Sequence, residues 1–305
     1  MKRPHPNRRD PSSLPAELRR TNVPPTVREW IRRETGAAVI KVRRLPGAST
    51  SAVHVVVLSD GRHLVLRRYV WRWVLQDEPM APQREVDALN FASAAGLFCP
   101  RPIAVDVPGL STGDGIPAIL TTKLAGTAVA VPDLYRLAET AGAIHSLSAE
   151  TLGHRYFPWY RGTTTAAPES ATRPQLWETA IEIWRSEMPS YRPTLVHRDF
   201  HPGNVLWVRG RCSGVVDWVN ACEGPPGCDV AHCRWNLIEL AGPQSADQFL
   251  DAYQDITGNT YHPYWEIASV LEHGPSSWDS GHIAQAETLL TAALDLLGKL
   301  PRGRP

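Results

Sequence analysis

Leu195-Val196-His197-Arg198-Asp199-Phe200-His201-Pro202-Gly203-Asn204 is the stretch on which the reading of this chain turns. It is completed by Val215-Val216-Asp217-Trp218, whose aspartate lies thirteen positions after Asn204. The first segment has the form H-x-D-x4-N. The residues between the two read as a hairpin: Val205-Leu206-Trp207-Val208, a turn at Gly210, then Gly214-Val215-Val216. A tight hairpin brings Asn204 and Asp217 to one end of the ribbon. Phosphoryl transfer from ATP calls for such a set: one carboxylate to orient or accept the proton of the attacking hydroxyl, and an amide oxygen with a second carboxylate to hold Mg2+ against the phosphates.

The wider chain sets the bounds. It has 305 residues, 43% of them apolar and 21% charged, with a net charge of +1. That length points to two domains or lobes with a sizeable core. The balanced composition excludes global disorder and gives no whole-chain case for nucleic-acid binding. No run of eighteen apolar residues is present, so no membrane span is expected, and Met1-Lys2-Arg3-Pro4-His5-Pro6 does not open a secretory signal. The five cysteines are odd in number, and Cys212, Cys222, Cys228 and Cys233 lack the C-x2-C spacing of a zinc knuckle. They read as small reduced thiols of a cytoplasmic protein. Charge is uneven. Residues 1–44 carry twelve bases against four acids, and residues 217–300 carry twelve acids against Arg234 and Lys299. Each run reads as a solvated face, or as a basic end that draws anions and an acidic end that draws cations.

Periodicity orders the elements. Residues 1–24 are basic and Pro-rich and read as a loose extension. Thr26-Val27-Arg28-Glu29 forms a capping box for a helix over 27–35 that stops at Gly36. Strands are expected at 39–42, 53–58, 63–68, 103–107 and 118–122, the second and third joined through Asp60-Gly61. Residues 83–95, 133–147, 176–187, the 230s, 244–256 and 283–298 read as helices. Strands thus crowd the first third and helices the rest. Along 63–68 side chains alternate, so Val65 and Arg67 share a face.

The catalytic stretch resembles the loop and metal aspartate of eukaryotic-type kinases. It is most similar to the aminoglycoside phosphotransferase and choline kinase superfamily, whose loop commonly reads H-x-D-x-H-P-x-N, as His197 to Asn204 do here. The resemblance extends more weakly over 37–300. It implies an α+β, bilobal protein-kinase-like fold, with a β-rich N-lobe over 25–123 and a mainly helical C-lobe over 124–305. Carried over position by position, it implies Asp199 as catalytic base, His197 as the brace of the loop, and Asn204 and Asp217 as Mg2+ ligands. Asp229 matches the family's structural aspartate; alone it reads equally well as a helix N-cap. His145 is family-typical and reads as core or bracing. For ATP it implies Ser49, Thr50 and Ser51 at the phosphates, although Leu45-Pro46-Gly47-Ala48-Ser49-Thr50-Ser51 has a single glycine and reads equally as a β-turn. It further implies Val65 on the adenine, Arg67 in place of the usual phosphate lysine, Glu85 as the partner of that cation, and Thr122 and Leu124 in a hinge before Gly126.

Arg198 makes the loop read His-Arg-Asp, as in protein kinases. Only eleven residues separate Asp217 from Asp229, however, which leaves no room for a long peptide-docking segment. A small-molecule hydroxyl acceptor is therefore expected, and Arg198 is left to pair with a local acid. The acidic 217–300 segment suits a cationic acceptor, an aminoglycoside-type antibiotic first. An amino alcohol, sugar or macrolide is the alternative. Trp218, Trp235, Tyr261, Tyr264, Trp265 and Trp278 offer an aromatic cage for a choline-like group, or simply core. A catalytically silent nucleotide-binding pseudokinase is the reading from another class. No nucleic-acid or membrane partner is expected, and the chain is read as a monomer or homodimer.

Overall fold

The structure, a computed structural model, describes residues 18, 20–46, 51–70, 75, 78–159, 161, 164–186, 188–272 and 280–300. The described chain divides into two compact units. One comprises residues up to 128 together with 204–221; the other comprises 129–203 and 222–300. The architecture is mixed α and β, as the sequence implied, with an antiparallel sheet in the first unit and mainly helices in the second.

In the first unit, β1 (Val39–Arg44), β2 (Ala52–Leu58), β3 (His63–Arg68), β4 (Pro102–Asp106) and β5 (Ala118–Thr122) form one antiparallel sheet, in the order β1-β2-β3-β5-β4. The β2–β3 turn is as expected: Gly61 has φ 85°, and Asp60 Oδ1 accepts the Arg62 N–H at 3.0 Å. Alternation then assigns the two faces. Leu64 and Leu66, with Val56, Leu58, Ala118 and Leu120, pack against Val27, Trp30 and Ile31 of α1 (Pro25–Thr35). Burying each such side chain contributes about 1.5–3 kcal/mol. On the other face Tyr69 and Ile119 pack with Ala81 and Val86 of α2 (Ala81–Ala94). The capping box does not form. Pro25 starts the helix a residue before Thr26, because its fixed φ and missing N–H suit the first helical position, and Glu29 pairs with Arg32 instead. A second, three-stranded sheet has the order β6-β8-β9: β6 (Thr127–Ala128), β8 (Val205–Val208) and β9 (Arg211–Val215). Gly126, just before it, has φ 96°, and a Cβ there would lie 2.5 Å from the Trp207 carbonyl oxygen. Only glycine fits that approach.

The second unit contains α3 (Leu134–His145), α4 (Pro174–Arg185), the paired short strands β7 (Thr194–Val196) and β10 (Cys222–Gly224), then α5 (Pro226–Ala241), α6 (Pro243–Thr257), α7 (Tyr264–Glu272) and α8 (Ser280–Leu296). Its core joins Trp177 and Trp184 of α4, Trp235 of α5, Tyr264, Trp265 and Ile267 of α7, and Leu290 of α8. Trp235, Tyr264 and Trp265 are therefore core rather than a ligand cage, as is Trp218 in the first unit; Trp278 lies outside the described residues. Helix α7 was not foreseen. Its residues are apolar nearly all round, so they carry no polar stripe to mark a helix. No helix among the described residues is long and apolar enough to cross a membrane.

Candidate active site

The catalytic stretch leaves β7 and is fixed at once by α5. Asp229, in the first turn of α5, accepts the backbone N–H of His197 on Oδ2 and that of Arg198 on Oδ1, both at 2.6 Å. His145 Nε2 lies 3.2 Å from Oδ2 of the same carboxylate, and His145 Nδ1 lies 2.8 Å from the Tyr253 hydroxyl. Burial pushes the Asp229 carboxyl up, but the His145 hydrogen bond and the surrounding imidazoles and N–H groups hold it below the ordinary range. Asp229 thus braces the loop rather than capping its own helix, and His145 is a bracing residue. His197 is fully buried, its ring edge-on to Phe200.

Arg198 has φ 68°, a left-handed conformation uncommon outside glycine. The guanidinium lies over the Tyr156 and Trp159 rings, 4.2 and 4.1 Å from their centroids, and Nη2 donates to Glu272 Oε2 at 3.0 Å. The Tyr156 hydroxyl donates to the other oxygen of Glu272 at 2.6 Å. Burial pushes the Glu272 carboxyl up, with Arg198 and Tyr156 pulling against it. Glu272 is the local acid that the sequence left unnamed.

Asp199 follows directly. His232 Nε2 lies 3.1 Å from its Oδ1, and His201 Nε2 lies 3.9 Å from the same oxygen. Burial pushes the Asp199 carboxyl up, but the His232 hydrogen bond and the electrostatic pull of the neighbouring His232, His201 and His197 rings hold it well below the usual carboxylate range.

In the other unit, the Val216 N–H donates to the Asn204 carbonyl at 2.9 Å, which sets Asn204 beside Asp217 at one end of the hairpin. Asp217 has φ 69°. Arg67 does not face solvent. Nη1 donates to Asp217 Oδ1 and, at 3.2 Å, to Glu85 Oε1 on α2; Nε donates to Ser51 Oγ at 2.9 Å. The Tyr69 hydroxyl donates to Glu85 Oε2, and burial pushes the Glu85 carboxyl up. Burial also opposes the charge on Arg67, but Asp217 and Glu85 outweigh it and hold the guanidinium well above its ordinary range. Val65 is half-buried in β3, opposite Val55 and Thr121. The Thr122 N–H donates to the Arg101 carbonyl at 2.9 Å, and the Leu124 carbonyl accepts from Lys123 Nζ at 3.0 Å. Ser49 and Thr50 lie outside the described residues.

Residues 41–267 match the model of the phosphotransferase enzyme family. The chain belongs to this family. A homoserine kinase of Gluconacetobacter diazotrophicus is 28% identical over 164 residues, covering 45% of this chain and 48% of that protein. A homoserine kinase of Pseudomonas aeruginosa is 28% identical over 187 residues, 56% of this chain and 54% of that protein. The chain thus spans about half the length of these curated relatives. A thermostable mutant of the aminoglycoside phosphotransferase APH(4)-Ia, solved with ADP and hygromycin B, superposes with a TM-score of 0.62 at 17% identity. It covers 88% of this chain and 98% of its own. A macrolide 2′-phosphotransferase from Brachybacterium faecium gives 0.58 at 17%, with 90% and 98% covered. At these identities the structural likeness is one of fold.

Sequence reasoning missed four residues of the candidate site: Tyr156, Trp159, His232 and Glu272. His232 carried a usable signal. It lies three positions after Asp229 on α5 and so shares its helix face. Glu272, 74 positions from Arg198, offered no local signal. The cysteines are unbridged. Among the described residues, the cluster of three His, Cys, Asp or Glu side chains close enough to share a metal is Asp199, His201 and His232, with no cysteine in it.

Proposed function

We propose that this phosphotransferase transfers the γ-phosphoryl group of ATP to a hydroxyl of a small, amine-bearing molecule. The observation that carries the reading is the braced loop: Asp229 on the backbone before Asp199, and Asp199 held ionised to receive a hydroxyl hydrogen bond. Asp199 orients the acceptor hydroxyl and takes its proton. His197 and Asp229 hold the loop. Ser49, Thr50 and Ser51 serve the phosphates, Val65 the adenine, and Thr122 and Leu124 the hinge, with Glu85 steadying Arg67. The ADP bound by the aminoglycoside phosphotransferase neighbour supports a nucleotide of this kind.

Asn204 and Asp217 fit Mg2+. Both offer hard oxygen donors, and a cation, the Arg67 guanidinium, already stands on Asp217 Oδ1. Mg2+ takes one or two such protein ligands and completes its shell with water and phosphate oxygens. When bound it would neutralise phosphate charge. The protein contributes position and a fixed electrostatic field.

An aminoglycoside-type antibiotic is the acceptor that the acidic 217–300 segment suggests. A homoserine-like amino alcohol is the second reading, and two observations favour it. The curated relatives are homoserine kinases. In addition, seven of the twelve acids are engaged within the protein: Asp217 with Arg67, Glu223 with Arg155, Asp229 with the loop, Asp247 and Glu266 with Arg234, Glu272 with Arg198, and Glu287 with Thr172 and Trp177. Less negative charge is then left for a polycation than the sequence total indicates. The test is ADP release from Mg-ATP with hygromycin B, L-homoserine, choline and a macrolide. Asp199→Ala should lower turnover about 10²–10⁴-fold while ATP still binds; near-normal turnover in that variant would refute the role of Asp199.

A further inference from the structure

We propose that His232 is a positioning residue for phosphoryl transfer, donating its Nε2–H to Asp199 Oδ1 so that the carboxylate meets the acceptor hydroxyl in one fixed orientation. The inference rests on the role of Asp199 given above and goes beyond it.

Helix α5 reaches the loop twice from one face. Asp229 takes the backbone N–H groups of His197 and Arg198, and His232, one turn later, takes the side chain of the next residue. One rigid element therefore sets both the backbone before Asp199 and the orientation of its carboxylate. A carboxylate oriented only by its own rotamer would sample several staggered positions.

The proton on His232 follows from its neighbours. Nε2 lies 3.1 Å from Asp199 Oδ1 and 3.3 Å from Asn236 Nδ2. Asn236 Nδ2 also donates to the His232 carbonyl at 2.9 Å. An ionised carboxylate only accepts, so Nε2 carries the hydrogen. His201 is arranged in parallel. Its Nδ1 accepts the Gly203 N–H at 3.1 Å, which places the proton on Nε2, the atom facing the same Asp199 oxygen. The two rings stand edge to face, 5.8 Å apart.

These three side chains come close enough to hold a metal ion. Ligation through His201 Nε2 needs a lone pair there, and the Gly203 N–H selects the tautomer that has none. The cluster is instead one N–H donor, His232, within hydrogen-bond distance of the carboxylate oxygen at 3.1 Å, with His201 Nε2 facing the same oxygen at 3.9 Å. Charge-assisted hydrogen bonds of this kind are about twice as strong as neutral ones and are directional. Because reacting groups lose rate steeply when misplaced, removing the donor should cost about 10–100-fold in kcat.

The test uses the full chain with Mg-ATP and either L-homoserine or hygromycin B as acceptor. His232→Phe keeps an aromatic ring and removes the donor; His232→Gln keeps an N–H donor. The expected result is a fall of about 10–100-fold in kcat for His232→Phe, an unchanged KM for ATP, and recovery of most of the rate in His232→Gln. Adding His232→Phe to Asp199→Ala should cause no further loss. Normal kcat in His232→Phe with Asp199→Ala inactive would overturn this inference alone; normal turnover in Asp199→Ala would overturn the underlying reading as well. Equal damage in the Phe and Gln variants, or additive loss with Asp199→Ala, would make His232 merely structural. A measurement independent of turnover is the nitrogen-15 imidazole spectrum of the unmutated protein. It should show His232 as the Nε2–H tautomer, and an Nδ1–H tautomer would overturn the proposal.

Discussion

Replacing Glu272 by glutamine isolates the charge that holds Arg198. The guanidinium side chain is 4% exposed and the carboxylate 13%, with 3.0 Å between them. Removing one charge of such a buried pair typically costs about 3–5 kcal/mol, because the other is left desolvated and uncompensated. Glutamine still offers an oxygen to Arg198 or to the Tyr156 hydroxyl, which returns about 0.5–1.5 kcal/mol. The Tyr156 and Trp159 rings remain on the guanidinium in both proteins and cancel in the comparison. Burial already pushes the Glu272 carboxyl up, so ionisation carries a cost that glutamine avoids. The loss is therefore expected near the low end, about 2 kcal/mol. Urea unfolding at pH 7, followed by circular dichroism and tryptophan fluorescence together, measures it and exposes any departure from a single transition. Glu272→Gln combined with Arg198→Met should return to within about 1 kcal/mol of the parent, because the stranded charge is gone. A single variant indistinguishable from the parent, or a double variant no better than the single, would refute this account of the pair.

Arg67→Met leaves Glu85 buried without its cation and removes the partner of Asp217; stability should fall by about 3 kcal/mol in urea, and KM for ATP should rise where kcat is still measurable. Asp229 has a folded-state pKa below its ordinary 3.8, so its contribution is fully present above pH ~4 and is lost as the pH falls through the folded value. The stability difference between the parent and Asp229→Asn should accordingly be constant from pH 5 to 7 and shrink below pH ~4; a difference that does not change with acid would contradict this. Gly227→Ala would place a Cβ 2.2 Å from the Trp265 ring, and α5 or α7 must shift to admit it. A loss of about 1–3 kcal/mol is expected in thermal or urea unfolding, whereas Gly258→Ala, in open space, reports only the strain of its φ of 68°.

What the sequence revealed was what is local. The β2–β3 hairpin was legible because period-two alternation and Asp60-Gly61 lie within one short window; alternation put Arg67 on the face of Val65, and the resemblance implied Glu85 as its partner. Asn204 and Asp217 were legible as neighbours because a hairpin joins them. Two kinds of feature were hidden. Strands β7 and β10 are three residues each and pair across 28 positions, too short to carry a period. Helix α7 is buried on nearly every side, so Trp265 and Tyr264 resembled a possible cage until packing placed them in the core. At the site, the motif named Asp199 but not its partner. His232 and Glu272 come from helices whose sequence positions say nothing about distance to the loop. The capping box failed for a different reason: two valid local signals competed, and Pro25 prevailed over Thr26.

The loop's partners form a common design. Asp229 binds two backbone N–H groups, His232 binds the Asp199 carboxylate, and Glu272 binds Arg198; the first two lie on α5 and the third at the end of α7. In kinases that switch, the arginine of a His-Arg-Asp loop waits for a phosphate supplied from outside. Here a carboxylate encoded in the chain stands in its place, locked by the Tyr156 hydroxyl and two aromatic faces. A left-handed arginine is an unfavourable conformation that persists only where several contacts impose it, and Arg198 has all of these at once. The loop is therefore organised before any substrate arrives. That is the condition under which positioning and electrostatics can carry phosphoryl transfer, since no rearrangement has to be made at the moment of reaction.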